Sequence, residues 1–137
     1  MKIRTLLFVV VFVVFGAARP SLHHSLTATY DMDRLVSLSG TIARVDVVNP
    51  HVKVDLNATG ADGRVTTWTI EMAPPNALKR KSFDPRLLQV GQQVTIESWL
   101  RKDGKPEATG RTLVTADGTR VDVGDSLNWT SSLALVR

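Results

Sequence analysis

A chain of 137 residues that is 43% hydrophobic and 22% charged has the composition of one soluble domain, and is too short for a repeat array or a multi-domain enzyme. It has no cysteine, which excludes a disulfide scaffold, a thiol nucleophile and a lipoprotein anchor. The formal charge is +4, but Lys2 and Arg4 stand in the first eighteen residues without an acid. Beyond them 15 basic and 13 acidic residues remain, a balance of +2 that gives no electrostatic reason to expect nucleic acid.

Met1 to Ala18 reads as a secretory signal peptide: Lys2 and Arg4, an apolar run from Leu6 to Phe15, then small residues at Gly16, Ala17 and Ala18. Arg19-Pro20 stops the run short of the roughly 20 apolar residues a membrane span needs, so the alternative of an uncleaved anchor fits less well. The expected cut after Ala18 starts an exported, periplasmic or secreted chain at Arg19, with no membrane contact after cleavage. Residues 19–34 read as a polar lead, 35–124 as the folded domain and 125–137 as a tail without a clean period.

From Val36 onward the chain is rich in Val, Thr and Ile and is punctuated by Asp62-Gly63, Asp103-Gly104 and Asp117-Gly118. Asp-Gly suits hairpin turns, because Gly accepts positive φ without steric cost, so three such corners imply at least five strands. The predicted runs are Val36 to Val48, His51 to Leu56, Val65 to Met72, Gln93 to Leu100, Ala108 to Thr115 and a short Thr119 to Val123. In the first run the apolar positions Val36, Leu38 and Ile42 are even, whereas Val45 and Val47 are odd. That slip near Ala43-Arg44 predicts a bulge, and Gly40 favours bending, so one long strand can serve two sides of a barrel. In the third run Trp68, Ile70 and Met72 oppose Thr67, Thr69 and Glu71; in the fourth Val94 and Ile96 point inward, leaving Trp99 out of phase as an exposed apolar spot.

The one helical candidate, Pro75 to Lys81, falls between the third and fourth strands, and Asp84-Pro85 opens a further short turn with Asp84 as its cap. Three strands, a helical insertion and two or three more strands predict a mainly β protein: a small five- to six-stranded OB-fold-like barrel, with an open meander or small sandwich, the helix packed across one end, as the rival.

Functional residues are few. His23-His24 lies close behind the expected mature N-terminus, and His51 follows Asn49-Pro50 at the corner between the first two strands. Imidazole nitrogens suit copper or zinc, so His23, His24 and His51 form a candidate metal set that Glu71, Asp31 or Tyr30 could complete; a solvated pair in a polar lead explains the same residues more simply. Asn49, His51, Thr67, Thr69 and Glu71 share the barrel side where OB-like domains meet ligands, against the plainer reading of a corner and an ordinary outward strand face. Lys79-Arg80-Lys81 fans around a helix rather than forming a stripe and fits a solvated helix end, with a phosphate or anionic-surface contact as the alternative. No Gly-x-Ser-x-Gly elbow, phosphate loop or His-Glu-x-x-His helix occurs, so no catalytic residue is expected.

His23-His24-Ser25, Tyr30-Asp31, Leu38-Ser39-Gly40-Thr41, Asn49-Pro50-His51, the Trp68 strand ending at Glu71, Pro75-Asn76-Ala77-Leu78 and Asp117-Gly118 follow one another in an order that resembles a family of small exported bacterial proteins of unknown function. The resemblance runs from about His23 to Val123 and implies a bacterial periplasmic or secreted β-barrel without an assigned activity. The chain departs from that pattern in Arg19-Pro20-Ser21-Leu22 ahead of the histidines and in the doubled Pro74-Pro75. The expectation is a non-catalytic exported binding module without a cofactor, whose partner is a small ligand, an envelope component or a protein. The alternative is a copper or zinc carrier.

Overall fold

Six strands and two short helices carry residues 26–125, the part of the chain that the computed structural model describes. Helix α1 (Leu26–Thr29) leads into β1 (Tyr30–Val47), followed by β2 (Val52–Thr59) and β3 (Val65–Glu71). Helix α2 (Pro75–Arg80) and a 3₁₀ turn at Pro85–Leu87 precede β4 (Gln93–Arg101), β5 (Glu107–Thr115) and β6 (Arg120–Asp122). The expected signal peptide, His23, His24 and the tail from Ser126 lie outside the described residues. No helix among the described residues is long and apolar enough to cross a membrane.

The strands form one sheet in the order β3-β2-β1-β4-β5-β6, and it closes because β3 also pairs, in parallel, with β5 through Thr69–Glu107, Ile70–Ala108 and Glu71–Thr109. Around the ring the order is therefore β1, β2, β3, β5, β4. The short β6 occupies the far end of the β5 edge that β3 uses at its start. The expected small, mainly β barrel with a helical insertion between its third and fourth strands is what this chain forms. Its Asp-Gly corners carry the positive φ that hairpins demand, with Gly63 at 77°, Gly104 at 78° and Gly118 at 85°.

Strand β1 makes the closure possible. It pairs with β4 from Tyr30 to Thr41 and with β2 from Gly40 to Val47, and its register slips between Ile42 and Arg44, where the sequence phase changes. Gly40 sits where both partners flank the strand, and a Cβ there would collide with the Asn57 carbonyl, so close strand approach as well as bending requires glycine. The strand also begins earlier than its pattern suggests, inside the expected polar lead. Asp31, Asp33 and Arg34 break the alternation, but β4 extends to Arg101 and offers Tyr30 a partner in register, and the Tyr30 ring is buried.

Inward positions fill the barrel. Val54, Leu56, Ile70, Ile96, Leu113 and Val123 are completely buried, each contributing about 1.5–3 kcal/mol relative to exposure. Trp68 packs half-buried against this core. The expected exposed spot at Trp99 is not there. Although its parity is outward, it lies in register between Leu35 and Thr109 and is only 5% exposed. Alternation identifies a face, and the neighbouring strands decide whether that face is covered; the β4–β5 register shifts just ahead of Trp99, between Glu97 and Ser98.

Helix α2 starts with Pro75 at its first position and buries Ala77 and Leu78, while Lys79 and Arg80 in its last turn complement the helix dipole. Asp84 caps the 3₁₀ turn by accepting from the Arg86 N–H at 2.9 Å. Lys81 ties the insertion to the end of β6: its Nζ donates to Asp122 Oδ2 at 3.0 Å and to the Gly124 carbonyl at 2.6 Å. The Ala73 N–H reaches the Val123 carbonyl at 2.8 Å, so both ends of this region are held to the barrel.

Candidate functional site

Two regions contend for the role of binding site. The first is the outer face of β2 and β3, where strand parity gathers most of the residues the sequence singles out. Lys53, Asp55 and Asn57 stand in register with Glu71, Thr69 and Thr67. Each pair is joined: Thr67 Oγ1 donates to Asn57 Oδ1 at 2.8 Å, Thr69 Oγ1 donates to Asp55 Oδ1 at 2.7 Å, and Lys53 Nζ lies 3.4 Å from Glu71 Oε1. Such cross-strand pairs stabilise a sheet, and they satisfy the groups that a ligand would otherwise engage.

Glu71 has a second partner. The Tyr30 hydroxyl, carried by the early start of β1, donates to Glu71 Oε2 at 3.4 Å. Burial, and then the Glu71 charge, push the Tyr30 phenol up to about 12, which keeps it protonated. Tyr30 and Glu71, two of the proposed accessory ligands, are thereby brought together. Asp31 instead lines a separate recess of about 430 Å³ with Arg34, Leu100, Arg101 and Lys102. Arg101 there is held by Asp103 at 2.7 Å and Glu107 at 2.9 Å, and its hydrogen bonds keep the Asp103 carboxyl down at about 2.

His51 stands at the end of this face. Its Nδ1 lies 3.1 Å from the Met72 carbonyl oxygen, which can only accept, so Nδ1 carries the proton and a neutral ring keeps its lone pair at Nε2. Asn49 is exposed in the corner ahead of it, before a cis peptide to Pro50. Among the described residues no group of three His, Asp or Glu side chains could hold a metal.

The second region is a groove of about 370 Å³ at the end of the barrel, which sequence reasoning passed over. Its wall begins where β1 runs beyond the core: Val45 and Val47 keep the same parity, but Val47 is 67% exposed. Val52 supplies the floor from β2, and Pro75 and Leu78 face it from α2. Phe83, Pro85 and Leu88, from the 3₁₀ connection, complete the enclosure. The signals were present in the odd-phase valines after the bulge and in the apolar residues of the insertion. Only the fold of the insertion back over β1 and β2 joins them.

One charged side chain, Lys79, lines the groove. Two other charged residues of the insertion are neutralised: Lys81 is bound by Asp122, and Asp84 is chelated by Arg86 Nε and Nη2; Arg80 is exposed and does not line the groove. Lys79 makes no ion pair or side-chain hydrogen bond among the described residues. A concave apolar wall with a single unpaired cation has the make-up of a small-molecule site, where apolar surface supplies affinity and a few polar groups fix orientation.

Neither the curated proteins nor the solved structures compared with the chain include a match. A protein-family model does match, over residues 11–111, most of the described barrel included. The chain therefore belongs to the family of unknown function DUF6152.

Proposed function

We propose that this protein is an exported, non-catalytic binding module that holds a small, largely apolar ligand in the groove between the end of β1 and the helical insertion. The observation that carries this reading is the groove itself, about 370 Å³ lined by eight apolar residues and one lysine, within the usual size range of small-molecule sites. The face around His51, Thr67, Thr69 and Glu71 supports the reading less, because its polar groups already bond one another across the strands. The charged, apolar and small-residue order of Met1 to Ala18 supports export.

The test is titration of the exported chain with the uncharged fluorophore N-phenyl-1-naphthylamine. Saturable one-site enhancement is expected, lost in a Val47→Glu variant whose thermal transition is unchanged. Enhancement that does not saturate, or that survives Val47→Glu, overturns the groove as the site. Mass spectrometry of the exported chain tests the address, with Arg19 expected as the first residue.

A second reading, a copper or zinc carrier, draws support from His51, whose Nδ1 contact leaves Nε2 as an outer donor in the way metal-binding histidines are oriented. Such a site would need His23 and His24. Copper and zinc titration of the tag-free chain tests it. Near-stoichiometric binding lost in His51→Ala supports a carrier, and the absence of binding removes it.

A further inference from the structure

We infer that the ligand of the groove is an anionic amphiphile, a medium-length acyl chain ending in a carboxylate, with its chain along the Val45, Val47, Leu78 and Phe83 wall and its acid on Lys79. This rests on the groove reading above and specifies the chemistry that it leaves open. The wall offers no polar side chain except Lys79, and no acid lines it, so an apolar body is matched along the groove and a negative group at one place only. Lys81 and Asp84 are closed off by Asp122 and Arg86, and Arg80 does not line the groove, so the ammonium of Lys79 gives the groove its charge.

A lone lysine presents a compact point charge with three donors, which matches a monoanionic carboxylate, whereas a phosphate dianion is ordinarily held by several donors or by an arginine fork. The dimensions agree with a small molecule. A volume of about 370 Å³ lies within the range of small-molecule sites.

The experiment is displacement of bound N-phenyl-1-naphthylamine from the full exported chain by decanoate and by decanol, each below its aggregation threshold. Decanoate should bind about five- to tenfold more tightly than decanol, the gain of one charge-assisted contact. Lys79→Met should bring decanoate down to the level of decanol, and Lys79→Arg should restore the preference. Equal binding of the two in the unmodified chain overturns the charged-ligand inference and leaves the groove reading intact. Failure of the fluorophore to bind at all overturns both. Sedimentation that shows a dimer broken by Val47→Glu would make a second copy the occupant and also overturn the inference.

Discussion

The outer face of β2 and β3 and the groove at the barrel end lie close together and are built on opposite principles. On the face, Lys53, Asp55 and Asn57 meet Glu71, Thr69 and Thr67 in register, and each of the six side chains contacts its partner across the strands. In the groove, apolar side chains are left concave to solvent and the one cation has no partner among the described residues. A polar ladder already paired across the strands gains less from a ligand than unpaired buried groups would, since part of its hydrogen-bonding capacity is already used. An unfilled apolar wall gains from each area of surface removed from water. On the proposed reading, the polar residues of the β2–β3 face serve its architecture, and the inconspicuous valines and prolines frame the binding groove.

That contrast breaks if the barrel interior is not one packed unit that supports both regions. Leu56→Ala and Ile96→Ala, at completely buried positions, should each cost about 2–5 kcal/mol in urea denaturation. A loss under 1 kcal/mol would show that the barrel end yields easily and that the groove is not held in shape. Next in size is the Tyr30 phenol. Its folded pKa of about 12 lies above the ordinary 10, so its contribution is full below pH 10 and is lost as pH rises from 10 to 12. The loss should be about 2–3 kcal/mol for this buried ring and absent from Tyr30→Phe. Matching alkaline profiles of the two proteins would place Tyr30 outside the buried cluster with Glu71.

A smaller effect separates the regions directly. Thr69→Val removes the hydroxyl that donates to Asp55 and should cost about 1 kcal/mol, with the fluorophore affinity unaltered. Lys79→Met should do the reverse, shifting the thermal transition little, since Lys79 is in no pair, while abolishing the preference for decanoate. If Thr69→Val instead weakens ligand binding, the two regions are one site. The least effect is expected at low pH. Arg101 holds Asp103 at about 2 against an ordinary 3.8, so its part of the stability is present above pH 4 and fades as pH falls toward 2. Asp103→Asn should flatten that limb slightly, because the pair is exposed and screened.

Much of the barrel was legible because its signals are local. Positive φ at the Asp-Gly corners, the parity break near Ala43-Arg44 and the Asp84-Pro85 cap are written in a few adjacent residues, and each recurs in the structure at those positions. Tyr30 and Trp99 depart from the expectation for the opposite reason. Tyr30 joins β1 because β4 reaches Arg101, and Trp99 is covered although its parity is outward, and neither fact is present in the residues beside them. Within the candidate sites, the face around Thr67, Thr69 and Glu71 could be listed from alternation, but not the partners that occupy it.

The sequence alone determined a mainly β chain with hairpins at three Asp-Gly corners, a bent first strand and a helical interruption, because backbone preference and alternation act over two to five residues. The tertiary structure decided what those elements enclose. Parallel pairing of β3 with β5 closes the sheet, the insertion folds back over Val45, Val47 and Val52, and Lys81 is drawn to Asp122 while Lys79 is left at the groove. Which of two lysines in one short helix end is neutralised depends on an aspartate some forty positions later in the chain, a contact that only closure of the barrel brings about.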